Sequence, residues 1–383
     1  MSIPLGIALV ILLTTLVVAV EMFIGHRSIR SLYDITLDTD QILPKVSIVV
    51  AARNEQRNIR EALQSLLNLS YPDYELIVVN DRSEDNTQTI LEQMSASHPR
   101  LKVLQISELP PGWLGKNHAL WVGSQQATGE LLLFTDADII MEPTVLSRAV
   151  TFLVQNRIDH LAATPSLSMP TAFLGMFGAA FVIIFSLFIR PWKARDPRSR
   201  YHIGIGAFNL IRTQVYRNIG GHVPIRLRPD DDIKLGKLLK KEGYRQDVVY
   251  GSDYLEVEWY ASTGELIRGL EKNAFSGADY SIALILTGAS INLLCNVWPF
   301  LALVITGGAT QGIYLVTVII ILLMVTDSAR FHKMPGWYAL GYPLVSALFV
   351  YIMLRTMILN ITQGGIYWRG TFYPLKELKK NQL

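Results

Sequence analysis

Residues 131–140 read LLLFTDADII, an apolar run that ends in two carboxylates one residue apart. A run of this length and character suits a strand buried on both faces of a parallel sheet. Asp136 and Asp138 then fall at its carboxyl end, the edge at which open α/β sheets bind ligands. Alternate residues of an extended chain face the same way, so both carboxylates point at one object. Two close negative charges call for a cation, and an all-oxygen donor set suits Mg2+ or Mn2+. The competing reading is a solvated turn with an aspartate cap ahead of Met141-Glu142-Pro143. The neighbouring motifs decide between them.

Upstream the chain alternates. Val46–Val50 (VSIVV), Tyr74–Val79 (YELIVV), Leu101–Ile106 and Glu130–Phe134 read as strands. Glu55–Leu67, Asp85–Met94 and Lys116–Gln126 between them carry apolar residues at helical spacing. This order predicts a mostly parallel α/β sheet whose ligands sit at the carboxyl edge of the strands. Ala51-Ala52-Arg53-Asn54-Glu55 follows the first strand and Asn80-Asp81-Arg82-Ser83 the second, so acids and amides from separate motifs converge on the rim that holds Asp136 and Asp138. No G-x-G-x-x-G follows the first strand, and no P-loop lysine motif appears. Gly204-Ile-Gly-Ala-Phe208 lacks both the third glycine and the position. A metal on Asp136 and Asp138 is then the device that holds phosphates.

Several side chains at this rim can do chemistry. Asp81 can accept from a base N–H or a ribose hydroxyl, or cap the next helix, and Glu55 can complement a helix dipole. Lys116 opens a helix, where a cation is electrostatically misplaced, and a diphosphate contact would explain it. Asp230, Asp231 and Asp232 precede the amphipathic stretch IKLGKLLKKEGY. Capping accounts for one of them, but three in a row repel and raise at least one pKa, as a general base requires. Asp232 is the first choice for that base and Asp231 the second. Arg268 and Lys272 lie four apart on a predicted helix and share a face suited to leaving-group phosphates or to a membrane surface. His118, His202 and His222 show no metal-ligand spacing.

The chain has 383 residues, half of them hydrophobic, with a mean hydropathy of +0.29. Ile3–Gly25 is long enough to cross a bilayer, and the basic HRSIR (His26–Arg30) after it places that end in the cytoplasm. A signal peptide is disfavoured, because no Lys or Arg precedes the run and no small-residue cleavage site follows it. Three further apolar blocks lie at about 280–306, 310–326 and 338–361. Thr171–Ile189 is also apolar and is followed by the basic RPWKARDPRSR (Arg190–Arg200). An interfacial or re-entrant placement is expected for it, since a full crossing would split the domain, and its basic flank would face anionic lipid. A net charge of +3 gives no case for nucleic acid. The single cysteine, Cys295, lies in an expected span, which excludes a disulfide framework.

Taken together, VSIVVAARNE, IVVNDRSEDNT, FTDAD and the DDD before a helix resemble the successive motifs of family 2 glycosyltransferases with a GT-A fold. The resemblance covers about Val46 to Lys272. It implies nucleotide binding by Ala51, Glu55 and Asp81, a divalent metal on Asp136 and Asp138 beneath the donor diphosphate, and Asp232 as catalytic base. Asn80-Asp81 stands where many members have two aspartates, and the Q-x-x-R-W motif of polysaccharide synthases is missing. LPPGWLGKNHAL and the segment around Arg268 are similar to bacterial glycosyltransferases of carotenoids and hopanoid-type lipids. IYWRGTFYPL (Ile366–Leu375) is similar to the C-terminal segment of ceramide glucosyltransferases.

The expected organisation is therefore an N-terminal transmembrane helix (1–30), a cytoplasmic GT-A domain (40–278, with 170–200 interfacial or re-entrant), C-terminal transmembrane helices (279–362) and a basic tail (363–383). The expected reaction is inverting transfer from a nucleotide-sugar, a UDP-sugar, to a lipid hydroxyl in the inner membrane. The alternatives are a polyprenyl-phosphate sugar transferase, a polysaccharide synthase, and an inactive receptor for nucleotide-sugars. One tension stands. One span before the domain and three after it put the tail outside, whereas its basic TFYPLKELKK favours the inside.

Overall fold

The computed structural model describes residues 2–37, 43–271 and 273–381. In chain order the elements are α1 (Ile3–Ser28), β1 (Arg30–Ser31), β2 (Val46–Ala52), α2 (Ile59–Leu67), β3 (Tyr74–Asp81), α3 (Thr87–Ser97) and β4 (Leu101–Ile106). There follow α4 (Gly115–Gln125), β5 (Leu131–Thr135), β6 (Ile139–Met141), α5 (Val145–Gln155), β7 (His160–Thr164), β8 (Ser166–Ser168) and α6 (Ala172–Ile189). Next come β9 (Asn209–Arg212), α7 (Thr213–Asn218), α8 (Asp231–Lys241), β10 (Gln246–Tyr250) and β11 (Leu255–Glu258). The remainder is α9 (Thr263–Glu271), α10 (Asn273–Gly277), α11 (Ile282–Asn292), α12 (Trp298–Ile305), α13 (Gly308–Phe331), α14 (Tyr342–Thr362), β12 (Gly365–Trp368), β13 (Thr371–Pro374) and α15 (Leu375–Lys380).

Two compact units result. One comprises residues 29–167, 191–258 and 380–383; the other comprises 1–28, 168–190 and 259–379. The first is built on an eight-stranded sheet in the order β1-β10-β7-β9-β5-β2-β3-β4. All neighbours are parallel except β9, which runs antiparallel to both β5 and β7. All eight residues of β3 are buried, as expected of a strand covered on both faces. Alternate residues of β2 serve the two faces: Ile48 and Val50 pack with Ile59, Leu63 and Leu66 of α2, whereas Val49 packs with Ala119 and Leu120 of α4. This sandwich holds the carboxyl edges of β2, β3 and β5 in register, Val50 beside Thr135 and Ala52 beside Asn80.

The second unit is helical. Among the described residues, five helices are long and apolar enough to cross a membrane: 3–28, 172–193, 282–305, 308–331 and 336–362. Ala172–Ile189 is one unbroken helix, capped by the Thr171 hydroxyl, which accepts from Leu174 N. A π-helical turn at Leu293–Val297 joins α11 to α12.

Two helix starts differ from the sequence reading. α2 begins at Ile59 rather than Glu55, because Asn54 takes a left-handed φ of 57° and turns the chain after β2. α3 begins at Thr87, where the Asp85 carboxylate accepts the Thr87 N–H at 2.9 Å. Both starts are displaced by the same interlock of side chains, which lies beside the site.

Candidate active site

The turn after β2 and the turn after β3 are pinned to each other. Backbone N–H groups of Asn54, Glu55 and Gln56 donate to Ser83 Oγ (3.0 Å), Thr87 Oγ1 (2.9 Å) and Asp85 Oδ2 (3.1 Å). In return Asn54 Oδ1 accepts from Glu84 N at 2.8 Å and Gln56 Oε1 from Asn86 N at 3.1 Å. The residues N-E-Q and S-E-D-N-T therefore act as a paired clasp, holding Glu55 at the rim. Asp81 is only 2 % exposed, and its two oxygens each accept from Arg82, at 2.7 and 2.9 Å, with Arg53 at 3.8 Å. Arg82 and Arg53 are functional candidates that the sequence reading passed over. Ala51 is half-buried near the carboxyl end of β2.

The end of β5 carries the two carboxylates as alternation demands. Asp136 and Asp138 are half-buried, while Ala137 between them packs into the core. Burial, Asp136 and Glu55 push the Asp138 carboxyl up to about 7. Three acids from two motifs thus crowd one another. Among the described residues no three His, Cys, Asp or Glu side chains are arranged to enclose a metal ion. The donor set nevertheless fits Mg2+ or Mn2+, which is bound through one or two carboxylates with substrate phosphates and water filling the other positions.

A second group of acids faces Asp136 from α8. Of the three consecutive aspartates, Asp230 makes no helix cap; it accepts from Arg228 at 3.1 and 3.2 Å and pairs with Lys234 at 3.4 Å. Asp231 lies 3.5 Å from the Lys116 ammonium, which also touches Asp136 at 2.7 Å. Among the described residues Asp232 forms no ion pair; its Oδ2 accepts from Gly206 N at 2.7 Å and its Oδ1 from Ile233 N at 2.8 Å. Burial and the neighbouring Asp231 raise the Asp232 carboxyl to about 7. Burial alone would discharge Lys116, but Asp136, Asp231 and Asp232 outweigh it and keep the ammonium protonated.

The first turn of α4 is anchored to the loop that leads into the aspartates. Leu114 N donates to Arg226 O at 2.8 Å, and Asn117 Nδ2 donates to the carbonyls of Ile225 (2.8 Å) and Arg228 (2.9 Å). That anchoring places Lys116 between β5 and α8. From the other side comes the loop 203–208. A Cβ on Gly204 would lie 1.8 Å from Asp232 O, and one on Gly206 2.5 Å from Asp136 Oδ2. The G-I-G-A-F run is no dinucleotide fingerprint. Its glycines let the backbone approach both acid groups.

Lys116, Asp136, Gly206, His222, Asp231 and Asp232 line one cavity of about 10 Å3, close to what a single water requires. His222 is 1 % exposed and bonded through Nδ1 to the Tyr216 hydroxyl at 2.6 Å. Burial lowers its pKa to about 3, so this wall is a neutral imidazole. Arg268 lies on α9 in the helical unit, and Lys272 falls outside the described residues.

Residues 44–268 match the model of the "glycosyltransferase like family 2". The chain belongs to glycosyltransferase family 2. It is 22% identical over 340 residues to 4,4'-diaponeurosporenoate glycosyltransferase of Staphylococcus aureus (strain USA300), covering 87% of this chain and 89% of that protein. An uncharacterized glycosyltransferase of Haemophilus influenzae is 34% identical over 123 residues, 32% of this chain and 36% of that one. Among solved structures, the mannosyltransferase PcManGT from Pyrobaculum calidifontis, in complex with GDP-Man and Mn2+, aligns with a TM-score of 0.55 at 18% identity, over 94% of this chain and 99% of that one. The GT-A-like fold and the transferase class of the enzyme follow from these matches.

Proposed function

We propose that this family 2 glycosyltransferase moves a sugar from a nucleotide-sugar, a UDP-sugar, to a hydroxyl of a membrane lipid, with inversion at the anomeric carbon. The observation that carries the proposal is the unequal treatment of three adjacent aspartates. Asp230 and Asp231 have cationic partners, whereas among the described residues Asp232 is held by backbone N–H donors, with its carboxyl raised to about 7. A carboxylate of that pKa is matched to removing a proton at neutral pH.

In this reading Asp232 takes the proton of the acceptor hydroxyl as its oxygen attacks the anomeric carbon. Asp81, Glu55, Ala51 and Arg82 hold the nucleoside. Lys116 faces the diphosphate as it departs, where fixed positive charge is worth most. Asp136 and Asp138 would hold Mg2+ or Mn2+, which when bound neutralises charge on the leaving diphosphate. The complex of PcManGT with GDP-Man and Mn2+ supports both the donor class and the metal. The similarity to the 4,4'-diaponeurosporenoate glycosyltransferase of Staphylococcus aureus supports an apolar acceptor such as a carotenoid, hopanoid or ceramide-like lipid. A carboxylate acceptor is already ionised at pH 7, so the presence of a base favours a hydroxyl.

The test is to incubate the protein in vesicles with radiolabelled UDP-sugars, Mn2+ and extracted membrane lipids, and to separate the products. One sugar per lipid in an alkali-stable glycosidic linkage supports the proposal. A phosphodiester product would favour a polyprenyl-phosphate transferase, and a polymer would favour a synthase. Absence of any transfer or donor hydrolysis would favour an inactive receptor.

A further inference from the structure

We propose that only three segments of this chain cross the bilayer, namely α1, the α11–α12 rod and α13. On this reading α6 and α14 enter the cytoplasmic leaflet and return to the side they left. All five are long and apolar enough to span, so length does not decide the matter. Connectivity does.

For α6 the argument is the sheet. β7 precedes α6 and β10 follows it, yet the two are paired from His160–Gln246 to Thr164–Tyr250. β9, also after α6, pairs with β7 as well. Just beyond the helix, Lys240 of α8 donates to the carbonyls of Ala194 (2.8 Å) and Asp196 (2.6 Å). An open sheet cannot lie across a hydrocarbon layer, because its backbone groups would be unsatisfied there. Both ends of α6 are therefore on one side, although its 18 residues measure about 27 Å.

For α14 the argument is parity. Arg30, two residues after α1, pairs with Val249 in the sheet, so the carboxyl end of α1 is on the sheet's side. α13 runs parallel to α1. Arg27 meets Asp327 at 2.7 and 2.9 Å at one end, and Ala8 and Ile11 cluster with Tyr314 and Ala302 at the other. Phe331, the last residue of α13, is then on the sheet's side too, and α11–α12, joined to α13 by Thr306-Gly307, runs the opposite way. At the tail, Asn381 accepts from Leu227 N at 3.0 Å and donates to Pro224 O at 2.9 Å, both within the sheet unit. Residues 332–380 thus begin and end on the same side, and the one long helix among them does not cross.

Local contacts describe the return. Thr326 holds the Gly336 carbonyl, and Gly341 abuts Met176 of α6. The Met353 methyl then lies beside Gly288 of α11, and Arg355 pairs with Glu271 of α9 at 2.9 Å. Phe177 of α6 and Phe349 of α14 have ring centroids 6.3 Å apart, so the two helices form one layer. Phe188, Leu340, Leu344 and Ile358 of that layer and the turn before it remain exposed, and lipid is the occupant argued for.

The charge pattern agrees independently. HRSIR, RPWKAR and LKELKK all fall on the sheet's side, while residues 306–311 (TGGATQ), assigned to the opposite side, carry no Lys or Arg. By the positive-inside rule the sheet's side is the cytoplasm. The basic tail then lies inside, which resolves the conflict raised by counting three spans after the domain.

The test uses the 383-residue chain carrying Cys295→Ser, with single cysteines at exposed positions: Ala309→Cys, Lys333→Cys or Lys379→Cys. Intact cells are treated with a membrane-impermeant maleimide, before and after permeabilisation. Ala309→Cys should react in intact cells, and Lys333→Cys and Lys379→Cys only after permeabilisation. Labelling of Lys379→Cys from outside, or protection of Ala309→Cys in intact cells, would overturn the proposal. A fluorescent protein that folds only in the cytoplasm, fused after residue 383, should fluoresce. A dark fusion at normal expression would likewise contradict it.

Discussion

The Lys116 ammonium lies 2.7 Å from Asp136 Oδ1 and 3.5 Å from Asp231 Oδ1, so one cation joins the carboxyl end of β5 to the first turn of α8. The shared ammonium holds together two acids that would otherwise repel. Under the proposed function, Lys116 would exchange a carboxylate partner for a phosphate one as donor binds.

Replacing Lys116 by Met removes that counter-charge. Donor affinity should fall by about tenfold or more, in line with loss of a charge-assisted contact worth roughly 1.5–3 kcal/mol. Lys116 also lowers the pKa of Asp232, so the acidic limb of turnover should move to higher pH. Measuring donor KM and the pH profile together checks both effects.

Gly206→Ala places a methyl where 2.5 Å separates it from Asp136 Oδ2, on the residue whose N–H reaches Asp232. Turnover should drop at least about tenfold, since the acid pair shifts by a few tenths of an ångström or more. The circular dichroism spectrum should be unchanged. Wild-type turnover in this variant would show that the close approach is unimportant.

Asp85→Ala removes acceptors for Gln56 N and Thr87 N. The clasp between the two turns should loosen at a cost of about 1 kcal/mol per lost cap. The effect should appear as a raised donor KM together with a modestly lower melting temperature, read from activity and thermal melting side by side.

At the opposite edge of the sheet, Glu75 accepts from Ser47 (2.7 Å), Thr128 N and Oγ1 (2.8 and 2.6 Å) and Lys102 (2.5 Å). Burial opposes its ionisation, but these donors win and lower its pKa to about 2 from 4.5. With the folded pKa depressed, its stabilisation is present above the unfolded value and is lost as pH falls from about 4.5 toward 2. Glu75→Gln should therefore be less stable at pH 7, by an amount of the order of 2 kcal/mol. The difference from wild type should shrink as the pH approaches 2.

β2, β3 and β5 were legible because each is a largely apolar run closed by polar residues, and β4, which Lys102 and Gln105 interrupt, still matches its expected bounds at Leu101–Ile106. The start of α2 was not legible. Glu55 looks like a first-turn acid, and only the hydrogen bonds from residues 54–56 to Ser83, Asp85 and Thr87 show that the chain is still turning there. β9 and its antiparallel pairing depend on partners far away in sequence, β5 and β7. In the site, the spacing of Asp136 and Asp138 could be read from strand periodicity alone. The inequality among Asp230, Asp231 and Asp232 could not, because it comes from Arg228, Lys234, Lys116 and Gly206, which only tertiary structure assembles.

The most direct measurement is turnover and donor binding for Asp232→Asn against wild type in vesicles, from pH 5.5 to 8.5. Wild-type turnover should rise through about pH 7 as the Asp232 carboxyl ionises. Asp232→Asn should bind the UDP-sugar within about twofold of wild type, yet turn over at least about a hundredfold more slowly with the rise at pH 7 gone. Full turnover in the variant, or the same rise through pH 7, would contradict the assignment of Asp232 as the base.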